Sequence, residues 1–85
     1  MNKYLIHIQD TGKSYGPFQI MCRDCYRCLD VIDWAKAQQL FGLYETVHIV
    51  DPNGSVILGN MIIDRLSSDH LGIVVSIVPK HNIFP

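Results

Sequence analysis

The sequence predicts one α+β domain, with a single antiparallel-rich sheet of about five strands and one main helix packed on one face of it. Two observations carry this prediction. Segment 23–42 has helical periodicity and no proline or glycine before its last residue. On both sides of this segment lie strand-like runs, in which residues alternate between apolar and polar or are all apolar, and turn residues separate one run from the next. We therefore expect a single domain over residues 1–85, in the order ββαββ, a short helix and a final strand.

The predicted main helix carries one apolar stripe. At about 100° per residue, the side chains of the stripe lie within about 60° of one line. Asp24 is in position for the N-cap, and Gly42 for the residue that follows the C-terminus. The stripe is expected to pack on the sheet, and it consists of Cys25, Cys28, Leu29, Ile32 and Ala35, with Leu40 at its edge.

Two large aromatic side chains, Trp34 and Phe41, fall on the opposite face of this helix, about 160° from the centre of the stripe. Asp30 and Gln38 share that face. Aromatic surface turned away from the sheet indicates contact with a partner, with a second subunit or with the C-terminal segment. In the alternative interpretation, Phe41 leaves the helical register at the end of the helix.

Two hairpins are predicted around the helix. Residues 3–10 alternate between apolar and polar side chains, and residues 14–20 return after a turn. Residues 43–50 and 55–58 are separated by Asp51-Pro52-Asn53-Gly54, a strong turn signal.

The last third of the chain is predicted as a short helix and a central strand. Asn60 is in position to cap a helix over residues 60–68, with further strand as the alternative. Residues 72–78 are apolar on both faces, which is typical of a strand inside a sheet. This plan leaves one face of the sheet uncovered, and we expect a second interface there, formed by Leu5, His7, His48 and Val50.

Composition narrows the class of partner. Seven basic and eight acidic side chains give a net charge of −1, without the basic cluster that a nucleic-acid-binding surface needs, so nucleic acid is disfavoured. Apolar residues make up 48% of the chain and charged residues 18%, which favours a further buried interface in so short a chain. We expect a protein partner or a homodimer.

The start of the chain goes directly into an alternating strand without the apolar core of a signal peptide, and no run is long enough to cross a membrane. The three cysteines are an odd number within one short segment, which is unusual for a small secreted domain. These features predict a cytoplasmic protein with free thiols and no membrane contact.

The spacing Cys22-x-x-Cys25-x-x-Cys28 is the pattern that most suggests a metal site or redox chemistry. Metal-binding pairs of this spacing usually lie on tight loops, whereas the predicted helix places Cys25 and Cys28 on its apolar stripe. We therefore interpret the cysteines as small core residues and expect no cofactor.

The sequence contains no motif with the spacing of an enzyme active site, and we expect no enzymatic activity. In size and layout the chain is similar to accessory proteins of bacteriophages and mobile elements, including anti-CRISPR and other anti-defence inhibitors. That similarity implies inhibition of a larger host complex by steric occlusion. The alternative is a metal-binding or thiol-based regulatory module built on the three cysteines. The predicted interface residues are Trp34, Phe41, Gln38, Asp30, His48 and His7.

Overall fold

The computed structural model describes residues 3–82, and these form a closed antiparallel barrel instead of an open sheet. The connecting segment between the third and fourth strands contains one short helix. The elements are β1 (Tyr4–Ile8), β2 (Lys13–Cys22), β3 (Cys25–Cys28), α1 (Trp34–Leu40), β4 (Thr46–Val50), β5 (Val56–Asp69) and β6 (Gly72–Pro79), followed by a 3-10 turn at Lys80–Asn82.

The barrel consists of two three-stranded meanders, β1-β2-β3 and β4-β5-β6, in the cyclic order β1-β2-β3-β6-β5-β4. Antiparallel pairing of β3 with β6 and of β1 with β4 joins the meanders at both edges. Closure gives each of the six strands a paired neighbour on both sides and places the core inside the barrel. The predicted α+β fold, with a main helix packed on one face of an open sheet, is therefore wrong.

The main helix predicted over residues 23–42 is largely absent. Its first part is the turn after β2 and then β3, and the helix begins only at Trp34. Asp33, not Asp24, is the N-cap, and its carboxylate accepts a hydrogen bond from the Lys36 backbone N–H at 2.7 Å. Strand pairing wins over helical periodicity here because β3 lies between β2 and β6 and buries Tyr26 completely in the core.

The short helix predicted over residues 60–68 is also wrong, and the strand alternative is correct. β5 runs without interruption from Val56 to Asp69 and pairs with β4 on one side and β6 on the other. Asn60 has a left-handed φ of 54°, at a point where the register with β4 shifts. The residue that was expected to cap a helix instead shifts the register of a long strand, since Asn tolerates this backbone conformation.

Other local predictions are confirmed. In β1, Ile6 and Ile8 are buried while Leu5 is exposed, as the alternation predicts. β6 pairs on both sides, with β3 and β5, as expected for a central strand. The Asp51 carboxylate accepts hydrogen bonds from the backbone N–H groups of Asn53 and Ser55, which closes the predicted turn between β4 and β5.

The barrel interior is filled by inward-facing side chains from all six strands, to which α1 adds Ala37 and its C-cap residue Phe41. Within residues 3–82, no helix is long and apolar enough to cross a membrane. The cytoplasmic location stays a prediction. The core consists of Ile6, Ile8, Phe18, Tyr26, Cys28, Ala37, Phe41, Val47, Ile49, Met61, Ile63, Ile73, Val75 and Ile77.

Candidate protein-binding groove

A groove with a cavity volume of about 300 Å³ lies between α1 and the second half of β5. We call it the Trp34 groove. It contains three of the residues that the sequence predicted for an interface, Trp34, Gln38 and Phe41. Its full lining is Trp34, Gln38, Phe41, Gly42, Leu43, Asp64, Arg65 and Leu66.

The two aromatic side chains of the groove have different environments. Trp34, the first residue of α1, is 42% exposed, whereas Phe41 at the C-cap is 1% exposed. The Phe41 ring makes edge-to-face contacts with Tyr15 and Phe18, at centroid distances of 5.5 and 5.6 Å. The structure therefore places Phe41 in the core, and Trp34 alone of the two presents a large aromatic surface.

Phe41 is buried because the helix is short. α1 ends at Leu40, and the Phe41 backbone has a φ of −123° and a ψ of 87°, which is no longer helical. Its side chain turns inward and does not continue the face that Trp34 begins. This is the alternative interpretation in which Phe41 leaves the helical register.

The segment after α1 is fixed against β5 and holds Leu43 at the rim of the groove. The Tyr44 backbone N–H donates to the Ile63 carbonyl oxygen at 2.7 Å, and the Ile63 N–H donates to the Glu45 carbonyl oxygen at 3.2 Å. The Glu45 carboxylate also accepts a hydrogen bond from the Gly42 N–H. Leu43 is 55% exposed in this tightly bonded segment.

Asp30 does not lie in the Trp34 groove. It lines a neighbouring cavity of about 360 Å³ between residues 29–34 and residues 68–72, and Trp34 lies between the two cavities. Close to this second cavity, Arg27 donates two hydrogen bonds to the Asp69 carboxylate, at 2.6 and 2.9 Å. The Arg27 guanidinium, together with the Leu71 backbone N–H, lowers the pKa of Asp69 to about 2.

His7 and His48, also predicted as interface residues, meet on the outside of the barrel. Their strands are paired in register, and the two rings stack at a centroid distance of 6.2 Å with an interplanar angle of 16°. Ser14 Oγ is 2.8 Å from His7 Nδ1, and the Asn60 backbone N–H donates to His48 Nδ1 at 3.1 Å. Because Nδ1 of His48 accepts, the neutral ring carries its proton on Nε2.

Leu5 and Val50 are paired beside the histidines, and Val56 follows on β5. The four residues expected on the second interface thus share one surface, the outer wall of the barrel formed by β1 and β4. The prediction assigned this surface to the uncovered face of an open sheet, whereas in the structure it belongs to the outer face of a closed barrel.

The three cysteines do not form one cluster. Cys22 is exposed, Cys25 is partly buried on the outer side of the barrel, and Cys28 is 3% exposed inside the core. Cys28 therefore matches the interpretation as a small core residue, and the other two do not. In the described range, no three His, Cys, Asp or Glu side chains are placed to hold one metal ion.

Sequence reasoning missed the wall of the groove opposite α1. Leu43, Asp64 and Arg65 belong to segments assigned to other elements, and only the folding of β5 alongside α1 brings them to Trp34. The apolar Leu43 directly after Gly42 was the single local signal. Comparisons with protein-family models, with curated proteins and with solved structures find no match, so the geometry of these sites is the basis for any functional assignment.

Proposed function

We propose that this protein is a non-enzymatic protein-binding module that holds a large apolar side chain of a partner protein in the Trp34 groove. The observation that carries the proposal is the combination of a cavity with an exposed tryptophan and an exposed leucine at its rim. Pockets with apolar walls and a few polar groups are the usual sites for anchoring side chains.

The groove is built to stay open when no partner is bound. Phe41 forms part of its lining and is held by the core, while Leu43 is held by hydrogen bonds between its neighbours and β5. Rigid walls lower the entropic cost of binding, because few side chains need to become ordered.

The exposed aromatic surface is large enough to contribute to affinity. The exposed fraction of Trp34, 42%, corresponds to an area on the order of 100 Å². Covering that area stabilises a complex by about 2.5 kcal/mol at about 25 cal/mol per Å². Tryptophan is also among the residues whose truncation costs most at protein interfaces.

Two charged side chains give the groove a chemical preference. Asp64 and Arg65 line it beside the apolar residues and are exposed, and within residues 3–82 neither makes an ion pair. Arg65 is therefore available to a carboxylate of the partner. We propose that the partner segment carries one large apolar residue next to an acidic residue, and that binding acts by occluding the partner's surface.

Selection of peptides from a random display library on the folded protein tests this proposal. We expect enriched peptides to combine a large apolar residue with a neighbouring Asp or Glu. Trp34→Ala should weaken their binding about thirtyfold, the equivalent of about 2 kcal/mol, and Arg65→Ala should weaken peptides that keep the acidic residue. Val56→Ala is the matched control, since Val56 is an exposed apolar residue at the other end of β5.

Peptides that bind Trp34→Ala as tightly as the unsubstituted protein would contradict the proposal. Sedimentation velocity on the same variants shows whether a second copy of the chain occupies the groove, which is one of the surfaces through which the predicted homodimer would form. In that case self-association should depend on Trp34 and not on Val56.

A further inference from the structure

The turn between β2 and β3 brings two of the three thiols together. Cys22 is the last residue of β2 and Cys25 is the first residue of β3, so Arg23 and Asp24 alone form the connection. The two cysteines are Cα partners in the β2–β3 pairing, so they face each other across a two-residue turn. Facing positions on paired strands are compatible with the short Cβ–Cβ distance that a disulfide needs.

The two thiols are chemically different. Cys22 is exposed to solvent, whereas Cys25 is partly buried. Hydrogen bonding from the Cys25 thiol, and after it from the backbone N–H groups of Asp24 and Cys25, lowers the pKa of Cys22. The same thiol–thiol hydrogen bond, with partial burial, raises the pKa of Cys25. Cys22 is therefore the thiol that ionises first and meets solvent.

A hydroxyl group lies beside the Cys25 thiol. Ser76 on β6 is its strand partner, and the Ser76 Oγ is 3.5 Å from the Cys25 Sγ. A hydroxyl at this position can donate a hydrogen bond to the Cys25 thiolate as it forms. Cys28 is not accessible to the other two thiols or to solvent, because its side chain faces the barrel interior.

We propose that Cys22 and Cys25 form a thiol–disulfide exchange site that is oxidised by low-molecular-weight disulfides such as oxidised glutathione. The Cys22 thiolate attacks one sulfur of the small disulfide, whose S–S bond breaks and releases one thiolate. Cys25 then loses its proton and attacks the Cys22 sulfur, which forms the Cys22–Cys25 bond and expels the second thiolate. The protein loses two electrons and two protons, and the small disulfide becomes two thiols.

Reaction of the folded protein with oxidised glutathione, quenched with acid and followed by intact mass, tests this site. We expect a product lighter by two hydrogens and no lasting glutathione adduct. Peptide mapping after alkylation should place the disulfide at Cys22 and Cys25, with Cys28 alkylated only after unfolding.

Single substitutions separate the two roles. Cys25→Ser should accumulate one glutathione adduct on Cys22, while Cys22→Ser should react at least about tenfold more slowly. Ser76→Ala should leave the first step unchanged and slow the second, so that the adduct on Cys22 accumulates transiently. Ser76 is in this sense a positioning residue, and an effect on stability alone would not produce this pattern.

Three results would overturn the proposal. These are a stable adduct on the unsubstituted protein, a disulfide between two chains as the main product, and equal reactivity of Cys22→Ser and Cys25→Ser. The mass of the unsubstituted protein decides the question even where a variant fails to fold.

Discussion

Substitution of Phe41 by alanine distinguishes the barrel from the helix-on-sheet arrangement that the sequence predicted. In the predicted arrangement Phe41 and Trp34 share an outer face, so both substitutions should cost little stability. In the barrel Phe41 is 1% exposed and packs against Tyr15 and Phe18, whereas Trp34 is 42% exposed. The two variants should therefore differ strongly in their free energy of unfolding.

The magnitude follows from burial. Truncation of a buried phenylalanine to alanine costs about 3–5 kcal/mol, and a chain of this length has a total stability of about 4–13 kcal/mol. Phe41→Ala should thus remove a large part of the stability and lower Tm by at least about 12 °C. Trp34→Ala should cost about 1 kcal/mol, since nearly half of the side chain is already in water.

Urea denaturation followed by far-UV circular dichroism measures both variants. Fluorescence of Trp34, the single tryptophan, gives a second probe for Phe41→Ala. Phe41→Leu retains part of the buried volume and should cost about 1–2 kcal/mol, which provides a value where the alanine variant does not fold. A loss for Phe41→Ala no larger than the loss for Trp34→Ala would refute the packing of Phe41 in the core.

Two further predictions concern an ion pair and a close backbone approach. Arg27 lowers the pKa of Asp69 from 3.8 to about 2, so the contribution of this carboxylate to stability is present above pH ~4 and is lost as the pH falls towards 2. The Tm difference between the unsubstituted protein and Asp69→Asn should accordingly be positive at neutral pH and should vanish near pH 2; a difference that does not change with pH would contradict the ion pair. A Cβ on Gly16 would lie 2.9 Å from the Tyr4 carbonyl oxygen, so Gly16→Ala should cost about 1–3 kcal/mol in urea denaturation. Gly59→Ala, whose Cβ would meet no atom closer than 3.6 Å, is its control, and equal losses for the two variants would count against the close approach of β1 and β2.

Part of the candidate site was predictable from the sequence. Helical spacing placed Trp34 and Gln38 on one face, and both line the groove because they lie within the part of the segment that is helical. Alternation in the strands placed His7 and His48 on one surface, where they stack. The same spacing failed for Phe41, because the helix ends before it.

Residues 22–28 show why the first residue of the helix could not be predicted from the sequence. Cys25 and Cys28 are separated by three positions, which suits a helical stripe, but Tyr26 and Cys28 also alternate with Arg27 as a strand requires. The periodicities of helix and strand cannot be told apart over so few residues. The difference also overturned the interpretation of Cys22 and Cys25 as core residues, because they lie at the two ends of the turn between β2 and β3 and not on the apolar stripe of a helix.

The amino-acid sequence by itself determined the alternation of β1, the turn at residues 51–54 and the strand β6, because each depends on neighbours within a few residues. The tertiary structure alone decided that the strands close into a barrel, that residues 60–68 continue β5, and that Leu43 and Arg65 lie beside Trp34. Closure depends on hydrogen bonds between β1 and β4 and between β3 and β6, which are far apart in the chain. A local sequence pattern does not specify which distant strand will pair with a given strand edge. The barrel architecture is therefore decided only by the folding of the whole chain.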